Sequence, residues 1–89
     1  MLILPAVVTH AQALGAARGL STQVASQAEA VVLDASALEQ FDSSALAVML
    51  ACRREAMAVG KTFAVHGLPA RLSQLAGLYG VAELIPAAA

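Results

Sequence analysis

The chain is 89 residues long, 60% of them hydrophobic and only 12% charged, with five Lys and Arg against six Asp and Glu and a net charge of −1. That length suits one small domain with a modest stability margin, and the basic residues Arg18, Arg53, Arg54, Lys61 and Arg71 form no patch beyond one pair, which argues against a nucleic-acid partner. No apolar run nears the roughly 20 residues that cross a bilayer, and residues 1–4 lack the basic start of a signal peptide, so a cytoplasmic protein without direct membrane insertion is expected.

With so little polar surface, such a chain tends to hide part of itself against a partner. The first elements are short. Residues 1–4 and 6–8 are apolar pieces split by Pro5 and read as one strand with a break, since proline cannot donate to a strand ladder. Thr9 can cap the segment that follows. Over residues 10–26, Ala13, Ala17, Leu20 and Val24 recur at intervals of three and four, which marks one face of a helix. Gly15 and Gly19 weaken that helix, each by up to about 1 kcal/mol relative to alanine, and close packing on a sheet is the expected return. His10 reads as a solvated first-turn residue.

Residues 30–33 form a continuous valine-rich run, the pattern of a central strand covered on both faces. A polar loop then leads to Asp42-Ser43-Ser44, where helical periodicity begins. Asp and Ser side chains accept hydrogen bonds from the first N–H groups of a helix, which have no partner within it. Asp42 is the expected N-cap, and its carboxylate also meets the positive end of the helix dipole. Ser43 falls in the first turn with its hydroxyl toward the mouth of the sheet, a common meeting place for ligands and partners of open α/β sheets. On the residues alone, capping is the more ordinary account of the triplet, since Ser and Asp are the usual residues at helix starts.

This second helix is expected over residues 43–59, ending at Gly60 in a left-handed conformation. A buried strand follows at residues 62–65, then Pro69 and a third helix at residues 70–78, stopped by Gly80. Residues 81–85 give a last short strand or helical turn. Alternating strands and helices predict one α/β domain over residues 1–89, with a mixed, mostly parallel sheet flanked by helices. Cys52 is alone and sits at helical spacing among apolar residues, as a small core residue does.

Projected at 100° per residue, Ala45, Val48, Met49, Cys52, Ala56 and Val59 cover an arc wide enough to pack on the sheet. Leu46, Leu50 and Met57 lie outside it, in the sector of Ser43, Arg53 and Arg54. An apolar stripe bordered by arginines suits a docking surface; a helix that is simply buried more broadly would read the same way.

The run Leu33-Asp34-Ala35-Ser36-Ala37-Leu38, followed by Phe41-Asp42-Ser43-Ser44-Ala45-Leu46-Ala47-Val48, resembles the signature of STAS domains, the fold of sulfate transporters and anti-sigma factor antagonists. Residues 5–9 stand where that family ends a strand, and residues 63–68 match its fourth strand. The segment Leu75-Ala76-Gly77-Leu78-Tyr79-Gly80 is similar to a run in the MlaB type, the small STAS subunit of Mla lipid-transport ABC complexes. This resemblance implies a non-enzymatic subunit that binds the cytoplasmic, MlaF-like ATPase of a phospholipid transporter, within a complex holding permease and substrate-binding subunits. Such a subunit would lie peripheral to the inner membrane and support outer-membrane lipid asymmetry. The resemblance also implies that Ser43 is the functional hydroxyl, phosphorylated in antagonists and lying at or beside the ATPase surface in the Mla type, so an antagonist switched by serine phosphorylation is the alternative.

The partner-binding set expected on these grounds is Asp42, Ser43, Ser44, Leu46, Leu50, Arg54 and Met57. Two departures from the family pattern stand out. Ala45 and Ala47 replace common glycines, and the chain starts at the second strand of the usual N-terminal hairpin, which leaves an edge expected to pair with a second copy when the protein is isolated. No cofactor, metal or catalytic residue is expected, because the sequence has no Ser-His-Asp spacing with a plausible base, no glycine-rich phosphate loop and no cluster of metal ligands.

Overall fold

A computed structural model describes residues 1–88. In chain order it holds β1 (Leu2–Ile3), β2 (Val7–Val8), α1 (His10–Val24), β3 (Ala30–Asp34) and β4 (Gln40–Phe41). These are followed by α2 (Ser44–Ala58), β5 (Thr62–His66), α3 (Ala70–Leu78) and a single 3-10 turn at Ala82–Leu84. Pro5 does split the first strand, and the last short element is the helical turn of the two alternatives.

The strands form a parallel three-stranded sheet in the order β1-β3-β5, with β3 central, and a separate parallel pair of β2 with β4. The pair continues the first two strands past an irregularity. Leu2 lies opposite Leu33, but Val7 lies opposite Gln40, so the second segment takes seven steps where the first takes five. Its two extra residues go into a turn at Asp34, where Oδ1 accepts the Ser36 N–H at 2.9 Å and the Ser36 hydroxyl at 2.6 Å. Ala6 C=O then accepts both the Glu39 N–H at 2.8 Å and the Gln40 N–H at 2.9 Å, which resets the pairing.

Strands are added in one direction across the sheet, from β1 to β3 to β5 and on to a bridge between Val65 and Ala87, and crossovers between parallel strands take the right hand as a rule. All three helices therefore lie on one face. Leu2, Val31, Leu33, Phe63 and Val65 point into that face and are buried with Val48, Met49 and Leu72. On the opposite face Val32 and Ala64 are half-buried and Ile3 is 66% exposed. The expectation of a central strand covered on both faces is thus corrected: β3 alternates, because among the described residues no helix crosses to the other side.

The helix ends follow their local sequences. Gly60 (φ 75°) and Gly80 (φ 72°) take left-handed conformations that end α2 and α3. In each case the next residue closes the end: the Lys61 N–H donates to Ala56 C=O, and the Val81 N–H to Ala76 C=O, both at 2.9 Å. Val59, expected in the packed arc, is exposed because α2 stops one residue before it. The C-terminus of α1 has no glycine. There the Lys61 ammonium donates to Val24, Ala25 and Gln27 C=O at 2.9, 3.0 and 2.6 Å, placing a cation at the negative end of the helix.

Gly15 and Gly19 do not pack on the sheet. Both are exposed, and a methyl group at either would meet nothing within 4 Å. Gly15→Ala and Gly19→Ala are therefore expected to stabilise the domain by roughly 0.5–1 kcal/mol each, as measured by urea unfolding, by lowering the conformational entropy of the unfolded chain.

Candidate functional site

Strands β2 and β4 lie side by side and point the same way, and each leads directly into a helix. The N-termini of α1 and α2 therefore emerge together. Thr9 and Gln12 serve the first: the Thr9 N–H donates to Gln12 Oε1 at 3.2 Å, and the Gln12 N–H donates to Thr9 C=O at 3.0 Å.

Asp42 serves both helices. Its Oδ1 accepts the Ser44 N–H at 2.8 Å, which is the capping expected, and its Oδ2 accepts the His10 N–H at 3.0 Å. One carboxylate thus ties two helix starts that are 32 residues apart in the chain. The Ser44 N–H first, and the His10 N–H second, hold the Asp42 carboxyl below the usual carboxylate range. Asp34 is lowered in the same way by the hydroxyl and N–H of Ser36.

These shifts give acid sensitivity a definite sign. A carboxyl with a depressed folded-state pKa contributes stability above its unfolded pKa of about 4, and that contribution fades as pH falls through the lower folded value. Thermal melts are expected to show wild type losing stability as the pH falls below about 5. Asp42→Asn should begin less stable at pH 7, since one of the two N–H groups then faces an amide NH2, and should show a shallower acid dependence.

Ser43 is exposed and immediately precedes α2 rather than lying within its first turn, and its C=O accepts the Leu46 N–H at 3.1 Å. Ser44 is half-buried, Arg54 is exposed and Met57 is 53% exposed. Leu50 is half-buried and packs against the core cluster. Leu46 is a correction: it is only 3% exposed and belongs to the core, so it has no place on a surface stripe. The exposed line of α2 instead runs through Ser43, Ala47, Arg54 and Ala58, with Met57 beside it.

What the sequence did not reveal is the contribution of α1. An open groove of about 610 Å³ lies between the helices, lined by His10, Ala13, Leu14 and Ala17 of α1 and by Ala47 and Val48 of α2. A smaller hollow of about 170 Å³ continues it, bounded by Arg18, Ser21, Ala51, Arg54 and Glu55. Ala13 and Ala17 belong, with Leu20 and Val24, to the one face that the sequence spacing predicts for α1. They are half-buried at its boundary, because Leu20 and Val24 alone go fully into the core. The signal was there as a pair of small residues four apart, but its pairing with Ala47 depends on how the helices sit together.

The groove walls are mainly methyl and methylene groups, suited to contact with another apolar surface. Cys52 lies apart from it in the core, where burial pushes its thiol up to about 11, so the thiol stays protonated at neutral pH. Among the described residues no group of three or more His, Cys, Asp or Glu is placed to hold a metal ion, and no helix is long and apolar enough to cross a membrane.

A search of curated proteins returns no match. The family model described as Mlab, STAS domain, matches residues 6–86, which takes in every element from β2 to the 3-10 turn, including the Asp42 junction and both walls of the groove. The chain therefore belongs to the Mlab-type STAS domain family.

Proposed function

We propose that this protein is a non-enzymatic STAS subunit that binds the cytoplasmic ATPase of an Mla-type ABC transporter for phospholipids and supports its activity. The observation that carries this reading is the family match over residues 6–86. The site agrees with a binding role: an exposed hydroxyl at Ser43 stands beside an apolar groove, and Asp42 is already committed to two backbone N–H groups. In this reading the chain acts at the inner membrane through its complex with the ATPase, permease and substrate-binding subunits. The exposed edge of β1 around Ile3 supports self-association of the chain when that complex is absent.

Affinity purification of the tagged chain followed by mass spectrometry tests the proposal. Recovery of an ABC ATPase together with its permease is the expected result, and recovery of a serine kinase and an anti-sigma factor without them would replace it. That second reading, an antagonist switched by phosphorylation, draws support from the exposure of Ser43.

Ser43 separates simple capping from docking. Ser43→Ala is expected to bind the ATPase within about threefold of wild type, since Asp42 rather than Ser43 caps the helix. Ser43→Asp brings a charge to an interface built on apolar contact and is expected to weaken binding by about tenfold or more, read by titration calorimetry.

A further inference from the structure

We infer that the seam between α1 and α2 receives an amphipathic helix of the ATPase partner, about three turns long, that carries carboxylates at one end. The inference rests on the proposed function and specifies the chemistry of the same site. The apolar groove begins at His10 and Ala47, one turn from Ser43, so it is continuous with the surface already assigned to the partner. Its floor is built from Ala13, Ala17 and Ala47, whose small side chains let a helix backbone approach closely. Leu14, 63% exposed on one wall, is placed to enter between the side chains of an incoming helix.

Charge fixes the identity of the far end. There the hollow is bounded by Arg18 and Arg54, both exposed, against a single carboxylate, Glu55. A partner that buried only apolar groups would desolvate the two guanidinium groups without return, whereas carboxylates offer them paired, charge-assisted hydrogen bonds. Residues 10–21 of α1 span roughly 16 Å, which sets the length at three turns. Both α1 and α2 join parallel strands and so run the same way, with their N-termini at the Asp42 end. An incoming helix antiparallel to them places its own N-terminal turn at the arginines, where acidic residues also suit its dipole.

The test is a titration of the full chain and its variants against the purified full-length Mla-type ATPase of the same organism, with circular dichroism confirming that each variant is folded. Leu14→Asp and the double variant Arg18→Glu with Arg54→Glu are each expected to weaken binding about tenfold or more. Arg71→Glu, an equal charge reversal on the exposed side of α3, should bind as wild type does. Added salt should weaken the wild-type complex and partly restore that of the double variant, because it screens the repulsion between the new glutamates and the partner's carboxylates. Groove variants that bind like wild type would overturn the inference while leaving the proposed function standing, and a wild-type chain that does not bind the ATPase at all would remove both. Binding of phosphatidylglycerol vesicles that Leu14→Asp abolishes, with ATPase binding unaltered, would also overturn it and make the groove a lipid site.

Discussion

Leu46→Asp is expected to leave the chain unfolded, and Leu46→Ala to remain folded but less stable by about 2–4 kcal/mol. Leu46 is 3% exposed and belongs to the same core cluster as Val48, Met49 and Leu72. Truncation to alanine removes three carbons from that cluster and leaves a cavity which the neighbouring helices can close only in part. In a domain whose total stability is on the order of 5–10 kcal/mol, a loss of that size lowers the melting temperature by roughly 10–25 °C. Aspartate at the same position adds a buried charge with no partner, which exceeds what remains. Thermal melts followed by circular dichroism check both variants. A folded Leu46→Asp that merely fails to bind its partner would restore Leu46 to the surface and contradict the packing described here.

Gly67→Ala is the second large effect expected. Gly67 has φ 69°, in the left-handed region, and an added Cβ would stand 2.8 Å from Ser36 Cβ and 3.0 Å from Ser36 Cα. The backbone conformation alone costs an L-residue roughly 1–2 kcal/mol, and relieving the overlap costs about as much again, so a total of about 2–4 kcal/mol is expected in urea unfolding. The neighbour cannot turn away, because the Ser36 N–H is held by Asp34 at 2.9 Å and the adjoining Ala35 N–H donates to His66 C=O at 2.8 Å. Ser36→Gly in the same chain should recover part of the loss, since it removes the Cβ that the new methyl group strikes. Equal stability of Gly67→Ala and wild type would mean that this turn is much looser than its hydrogen bonds indicate.

The parts of this fold legible in the sequence are those governed by local chemistry. Pro5 breaking the first strand, Asp42 capping α2, and Gly60 and Gly80 ending helices all depend on residues within a few positions of one another. The STAS resemblance was legible for the same reason, since it rests on a contiguous loop and helix start. What escaped notice depends on contacts between distant segments. Lys61 bonding three carbonyls at the end of α1 spans up to 37 residues, and the second bond of Asp42 reaches back 32 residues to His10.

Helical projection located the exposed sector of α2 at Ser43, Arg54 and Met57, yet it misplaced Leu46. A projection registers only angle around the axis, whereas burial depends on what packs there. The continuous apolar run of β3 suggested two covered faces, but valine at position 32 satisfies strand propensity as readily as burial, and the open face follows from the direction of the crossovers. For α1, alanine is equally at home against a sheet or at the rim of a groove, so only the arrangement of the helices could tell these apart.

The most direct test of the docking surface is amide hydrogen exchange of the chain, alone and bound to the Mla-type ATPase, followed by peptide mass. Binding is predicted to slow exchange in the first turns of α1 and along α2, over residues 10–18 and 43–54, while the C-terminal part of α3 keeps the rate it shows in the free chain. Protection confined to the β1 edge or to α3, with the starts of α1 and α2 unchanged, would contradict the account and move the partner surface to another side of the domain.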